Sequence, residues 1–558
     1  MDEHGTGEPG QAQPYGAPQT FGQPSTAPSS HPYGAAPGPE VLDSSAPGWS
    51  VLPGYVGPDA PAPSRRRRTA AVAAVVVGAL LVCGGAYAAW SRLNGSGPQP
   101  SDVLPASTVA IAEVDLDPSA GQKLALLDLL RKFPDAAGLQ DSDKTFGDWL
   151  VRKLSESGSS TDTLDFAKDV EPWLGKRFAV AAVPAPAGSG TSGSRVDAVL
   201  VVQETDQAAA TAAMDKARAH GDKLGYAFLD GYLVVTPDSA TGASRVVSDA
   251  QKATLSDSGD FGSDVASLGS DEVVTAWVDA GRATQLVKDQ MGSLGGDVAG
   301  LGGLSPLGGG LGGPFGASQG RVVLGVHATT DSVEMRVRTF GGAASTAAAP
   351  VRLQHVVADP IAVVAVSGAG ANIAKSWKAL ASSPMYAQLA DQAKLIGLDL
   401  PGDLEKLLGD QLTASLSGDD LARQPQWVVA ATSQDPAAGK AVLDKLLAVA
   451  GASGASEPPF TAKVQGDSLY VGASSAAIAG ATSTSSAASL TGDEMFQAAV
   501  ADPGHAQSLV YVDLSKVWTL AKAAGASLPP ELEHLKAVGM SSTTDGTSSD
   551  STLRLVIR

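Results

Sequence analysis

The stretch Tyr226-Ala-Phe-Leu-Asp-Gly-Tyr-Leu-Val-Val-Thr236 decides how this chain folds. Two apolar, β-prone runs flank Asp230-Gly231, a pair favoured in two-residue hairpin turns because both positions take positive φ. An antiparallel pair is expected at Tyr226–Leu229 and Tyr232–Thr236. Strands also read at Val109–Val114, Phe178–Val183, Ala198–Gln203 and Val273–Val278, with a closing antiparallel pair at Arg321–Ala328 and Ser332–Phe340. Helical periodicity covers Gln122–Lys132, Asp143–Leu154, Leu164–Leu174, Asp206–His220, Phe261–Leu268 and Gly281–Gln290. Gly175 is expected to close the third of these helices as a C-cap. Hairpin-linked strands interspersed with helices give an α+β fold with a mainly antiparallel sheet.

The same order recurs further along. Asp169-Val-Glu-Pro-Trp-Leu-Gly175 matches Asp403-Leu-Glu-Lys-Leu-Leu-Gly409 at an offset of 234, and Phe261…Val265 matches Phe496…Val500 at 235. Val278-Asp279 falls on Val512-Asp513, Leu286 on Leu520 and Lys288 on Lys522 at 234, while Asp206…Asp215-Lys216 falls on Asp435…Asp444-Lys445 at 229. Such steady offsets predict two tandem copies, 104–342 and 353–558, joined by a linker at 343–352. In the second copy, Ile361–Val366 is expected as a strand, Ala374–Ala381 as a helix and Thr552–Ile557 as the last strand. A glycine-rich segment, 291–316, holds 12 glycines and has no counterpart in the second copy. It reads as a loop whose Leu301, Leu304, Leu307, Leu311 and Phe315 offer an apolar surface.

Ahead of the copies stands Arg65-Arg66-Arg67-Arg68, then 21 residues from Ala70 to Trp90 without a charge. Such a run spans roughly 30 Å as a helix, the thickness of a bilayer's hydrocarbon. Arginines gather on the cytoplasmic side. Residues 65–92 are therefore expected as a single transmembrane helix in the plasma membrane. Residues 1–64 would be a disordered, Pro/Gly-rich cytoplasmic tail with Tyr15, Tyr33 and Tyr55 as docking points. A spacer at 93–103 would lead to the extracytoplasmic copies. Ala86-Tyr87-Ala88 matches a signal-peptidase pattern, but a 68-residue leader is far longer than a secretory n-region, so a retained anchor is expected. Cys83, the single cysteine, lies inside the span, so the outer part has neither disulfides nor thiol chemistry.

The 558 residues carry a net charge of −19. Residues 1–68 hold six acids and four arginines, a net −2, which leaves −17 for the remainder. So acidic a module is a poor partner for nucleic acid or anionic lipid. No catalytic set emerges. Gly316-Ala-Ser318-Gln-Gly320 fits G-x-S-x-G, but a strand follows it where a nucleophile elbow needs a helix. Gly308…Gly313 satisfies G-x-G-x-x-G through glycine content alone. Gly368-Ala-Gly370 reads as a strand-to-helix turn. Asp115, Asp279 and Asp513 each end a strand before a helix and read as N-caps. Asp115, Asp117 and Ser119 begin like a calcium loop, but Leu126 stands where its twelfth ligand belongs. His220, His327, His355, His505 and His534 show no metal-ligand spacing. Trp149, Trp173, Trp277, Trp377, Trp427 and Trp518 read as core.

The proline-rich leader, the Arg-flanked span, the opening Leu104-Pro-Ala-Ser-Thr-Val-Ala-Ile and the strand endings Val278-Asp279 and Val512-Asp513-Leu514 resemble the bacterial membrane-anchored proteins grouped as domain of unknown function 3352. That resemblance implies topology and fold over about 100–558 and carries no site residues. The expectation is a single-pass binding or scaffold protein of the cell envelope, with no cofactor, metal or catalytic residue assigned. Its partners would be the membrane through 70–90, an envelope protein or lipid outside, and a cytoplasmic partner of the tail. The alternatives are a carrier or sensor of a hydrophobic envelope ligand, with 291–316 as its lid, and an envelope enzyme.

Overall fold

The computed structural model describes residues 98–115, 119–133, 164–186, 195–237, 241–269, 272–292, 320–342, 348–380, 384–418, 421, 424–452, 460–483 and 490–558. All of these fall in the unit spanning Pro63–Arg558. The expected tail, the expected span with Cys83, the helix Asp143–Leu154, Trp149, Asp117, the serine motif at 316–319 and residues 293–316 of the glycine-rich segment lie outside them. Among the described residues no helix is long and apolar enough to cross a membrane.

Among the described residues the fold is α+β, built on one antiparallel sheet of sixteen strands. The first eight are β1 (Ala110–Asp115), β2 (Leu174–Pro184), β3 (Val196–Glu204), β4 (Leu224–Leu229), β5 (Tyr232–Pro237), β6 (Val274–Asp279), β7 (Arg321–Ala328) and β8 (Ser332–Phe340). The last eight are β9 (Ala362–Ser367), β10 (Gln411–Ser417), β11 (Gln426–Thr432), β12 (Thr461–Gln465), β13 (Ser468–Gly472), β14 (Ser508–Asp513), β15 (Leu535–Asp545) and β16 (Ser548–Ile557). The spatial order is β12-β13-β11-β10-β9-β14-β15-β16-β8-β7-β6-β1-β2-β3-β5-β4. Read outward from the β8–β16 seam, both halves run through their strands in the same order.

The opening hairpin forms as read. Asp230 (φ 48°) and Gly231 (φ 80°) turn β4 into β5, and Phe228 pairs with Leu233. Asp206 caps the helix Gln207–Ala219 by accepting from the Ala208 and Ala209 amides. One face of the first half buries Ile111, Val199, Val201, Tyr232, Val234 and Trp277 beneath the helices Gly242–Ala250 and Gly259–Ala266. Phe261 meets Trp277 edge-on at 5.5 Å. The opposite face packs Val114, Leu324, Val326 and Val337 against Leu126 and Leu129 of the helix Ala120–Leu130. In the second half, Val363, Leu509 and Tyr511 pack under the helix Glu494–Ala499, where Phe496 meets Tyr511 edge-on at 5.2 Å.

Two expectations of the sheet and its helices are corrected. The strands expected as two sheets are one, because β8 and β16, which would otherwise each leave an open ladder, pair along Ser332–Thr339 and Ser549–Val556. The helix expected at Leu164–Leu174 is reduced to one turn at Phe166–Val170, and β2 begins at Leu174. Pro172 accounts for this, since it lacks an amide donor and drives the preceding residue from helical φ/ψ. Gly175 is therefore not a cap. It lies in β2, where a Cβ would stand 2.7 Å from the Gln203 carbonyl. Lys406 replaces the proline in the matching segment, and there the helix Gly402–Leu408 forms and ends at Gly409 (φ 65°).

Candidate functional site

Each half of the sheet is preceded by a lead-in segment that crosses the ends of its central strands, and each segment covers a cavity. Pro98–Leu104 is the first. Its short 3₁₀ turn is closed by the Asp102 amide on the Gln99 carbonyl (2.9 Å) and the Gln99 amide on the Asp102 carboxylate (2.6 Å). Val103 and Leu104 are fully buried. The Pro98 carbonyl accepts from the Arg177 guanidinium (3.0 Å) and the Tyr232 hydroxyl (2.6 Å), while the Leu104 carbonyl accepts from the Leu255 amide (2.8 Å).

Beneath this segment is a cavity of about 90 Å³ lined by Gln99, Glu113, Asp115, Arg177, Glu272 and Thr275, among others. Burial pushes the Glu113 carboxyl up to about 7, against hydrogen bonds from the Ser101 amide and hydroxyl and with help from the Asp102 and Asp115 charges. One Glu113 oxygen, Oε1, has no hydrogen-bond partner. Glu272 continues the cluster toward the seam, 3.6 Å from His327 Nδ1. The Glu272 carboxylate raises the His327 pKa against the opposing effect of burial. Next comes Glu334, 3.8 Å from His327 Nε2, 2.8 Å from Arg336 and 2.5 Å from Arg554 across the seam. Burial acts to raise its pKa, but Arg554 and Arg336 hold the carboxylate below its usual range.

The second lead-in segment, Pro350–Val357, is held in the same manner. Gln411 accepts from the Arg352 amide (2.9 Å) and donates to the Pro350 carbonyl (3.2 Å), and the Ser415 hydroxyl accepts from the Val357 amide (3.0 Å). Gln411 opens β10 where Arg177 lies in β2, at the recurring offset of 234. The cavity here is larger, about 450 Å³, and is lined by Arg352, Ser367, Gly368, Asp410, Gln411, Thr432, Ser433, Gln434 and Asp467, among others. Gly368 (φ 69°) donates to the Asp410 carbonyl and Gly370 to the Gly409 carbonyl. A Cβ on Gly370 would fall 2.6 Å from the Glu405 carbonyl, so its helix, Ala369–Leu380, rests directly on Gly402–Leu408. The strand-to-helix reading of Gly368-Ala-Gly370 thus holds. Ala348 and Ala349 join these amides, hydroxyls and charges in the lining, whose exposed surface is mainly apolar.

The remaining sequence candidates separate. Asp279 caps its helix through the Arg282 amide (2.9 Å) and Asp513 through the Lys516 amide (3.1 Å). Asp115 does not act as a cap. The Ser119 hydroxyl accepts from the Gln122 amide instead, and Asp115 lies 3.7 Å from Arg177. Leu126 is core. Trp173 and Trp277 are buried, whereas Trp377, Trp427 and Trp518 are half-buried. Two histidines read as isolated have partners on other elements. His327 joins Glu272 and Glu334, and His355 meets the Tyr470 hydroxyl at 2.9 Å and Ser468 at 3.5 Å. Ser468 is fully buried, so this Ser–His approach is closed to a substrate. Spacing could not reveal either set, because the partners come from other strands. Among the described residues no group of His, Cys, Asp or Glu is placed to hold a metal ion.

These features define, among the described residues, an α+β module with a single antiparallel sheet, two lead-in segments and a cavity beneath each. The family model described as "Protein of unknown function (DUF3352)" matches residues 71–230, and this part of the chain belongs to that family. Nothing among the curated proteins matches. Of solved structures, crystal form I of TP0453 is 12% identical over 45% of this chain and 82% of that one, with a TM-score of 0.21. Crystal form IV of TP0453 gives 12%, 44%, 81% and 0.22. Scores this low carry nothing about fold or function.

Proposed function

We propose that the chain is a single-pass, membrane-anchored binding or scaffold protein whose acidic α+β module works outside the plasma membrane of a bacterial cell envelope. The observation that carries this reading is Arg65–Arg68 followed by the uncharged stretch 70–90. The module adds support of a different kind. Its one continuous sheet makes a stiff platform, and its larger described cavity is open to a ligand.

The reading includes a tandem duplication that produced the two halves. Four observations support it. The strand order repeats outward from the seam. Phe261–Trp277 and Phe496–Tyr511 are edge-on pairs at matched offsets. Asp169 accepts from the Asp165 amide and Lys216, and Asp403 accepts from the Asp399 amide and lies 3.6 Å from Lys445. Arg177 and Gln411 each hold a lead-in segment. Protease added to intact spheroplasts tests the topology. The module should be digested while residues 1–64 survive, and a protected module refutes the proposal.

A further inference from the structure

Glu113 is the one acid in the middle of β1. At the matching register of β9, where Ser367 corresponds to Asp115, stands Ala365, fully buried. The fold therefore does not need a carboxyl at this position. Having one there creates a liability, since Oε1 is shut away from solvent without a partner. What the carboxyl does touch is Ser101, in the middle of the first lead-in segment.

We propose that Pro98–Leu104 is a proton-linked latch, in which protonated Glu113 seats the segment on the sheet and ionised Glu113 loosens it. The groups around Glu113 set the direction of the switch. Asp102 faces it from the segment, and Asp115 from its own strand. Glu272 comes from the loop before β6, with His327 of β7 behind it, and Arg177 of β2 is the nearby cation. Three of these neighbours are acids, so an additional negative charge meets repulsion as well as desolvation. The Arg177 guanidinium donates to the Pro98 carbonyl through Nη1 and lies 3.7 Å from Asp115 through Nε. Opening the segment lets water reach the carboxylate and relieves both costs.

The sign follows from Glu113 being harder to ionise in the closed state than in an open one. The closed latch binds the extra proton, so closure is strongest in acid and weakens as pH rises from the ordinary carboxylate value of 4.5 to about 7. A difference of that size corresponds to a change of about 300-fold in the closing equilibrium.

Hydrogen exchange by mass spectrometry on the full chain in nanodiscs, from pH 5 to pH 8, tests this. The reporters are the Leu255 and Ser256 amides, which donate to the Leu104 and Ser101 carbonyls. After correction for intrinsic exchange, their protection should fall by about two orders of magnitude toward pH 8. In Glu113→Gln, and in Glu113→Ala, which copies the second half, protection should stay level with pH. The Phe228 and Leu233 amides of the β4–β5 hairpin should not respond in any form. Wild-type protection that is flat with pH overturns the latch, as does a fall that persists in both variants.

Discussion

Glu334 sits where the two halves of the sheet are joined, with only 3% of its side chain exposed. It accepts from Arg336 on its own strand and from Arg554 on β16. Replacing it by alanine would strip both guanidiniums of this partner. Removing one member of a fully buried pair costs about 3–5 kcal/mol. Here the arginines are 33% and 30% exposed, so water partly compensates them, and the expected loss is about 2–3 kcal/mol. Arg338–Asp550 (2.6 Å) and Thr339–Ser549 (2.7 Å) still bridge the seam, so the sheet should remain whole. Urea unfolding of Glu334→Ala and wild type at pH 6, followed by far-UV circular dichroism, measures the difference. With an m-value of at least about 3 kcal/mol/M for a chain this long, the midpoint should drop by up to about 1 M. A loss below about 0.5 kcal/mol would show that the seam pair is only decorative and would refute the reasoning.

Phe261→Ala and Phe496→Ala remove matched members of two edge-on pairs, each 5% exposed or less. Each should cost about 3–5 kcal/mol in the same urea experiment, with neither near zero. The seam also sets a pH window. His327, with its pKa raised, contributes stability that is complete below its unfolded value of 6.5 and lost as pH climbs through the folded value. Glu334, with its pKa lowered, contributes stability present above 4.5 and lost as pH falls through its folded value. The seam contribution should therefore be greatest between about 4.5 and 6.5. The difference in stability between wild type and His327→Gln should shrink from pH 5.5 to pH 8.5, and a constant difference would contradict this. Finally, residues 348–558 expressed alone should fold and dimerise through β16, re-forming an antiparallel seam. A folded monomer by sedimentation would count against the seam as a pairing edge.

Much of the sheet was legible because its signals are local. Asp230-Gly231 fixes a hairpin by φ alone, and β7 and β8 appear over the residues read from alternation. Asp206 likewise announces its helix. The failures arose where distant groups intervene. Pro172 ended a helix whose periodicity looked intact, and only Gln203, from β3, shows why residue 175 must be glycine. The seam was invisible because β8 and β16 lie more than 200 residues apart and nothing in either strand names its partner. The charge cluster was hidden for the same reason. Glu113, Arg177, Glu272, His327 and Glu334 come from four strands and a loop, and in one dimension each reads as an ordinary surface charge.

The claim on which the functional reading rests is that the module lies outside the membrane and the leader inside. Labelling of engineered cysteines tests it most directly. In a Cys83→Ser background, Thr547→Cys reports on the exposed β15–β16 turn and Ser29→Cys on the leader. With a membrane-impermeant maleimide on intact cells, Thr547→Cys should be modified at once and Ser29→Cys only after permeabilisation. Modification of Ser29→Cys in intact cells with Thr547→Cys protected would contradict the account.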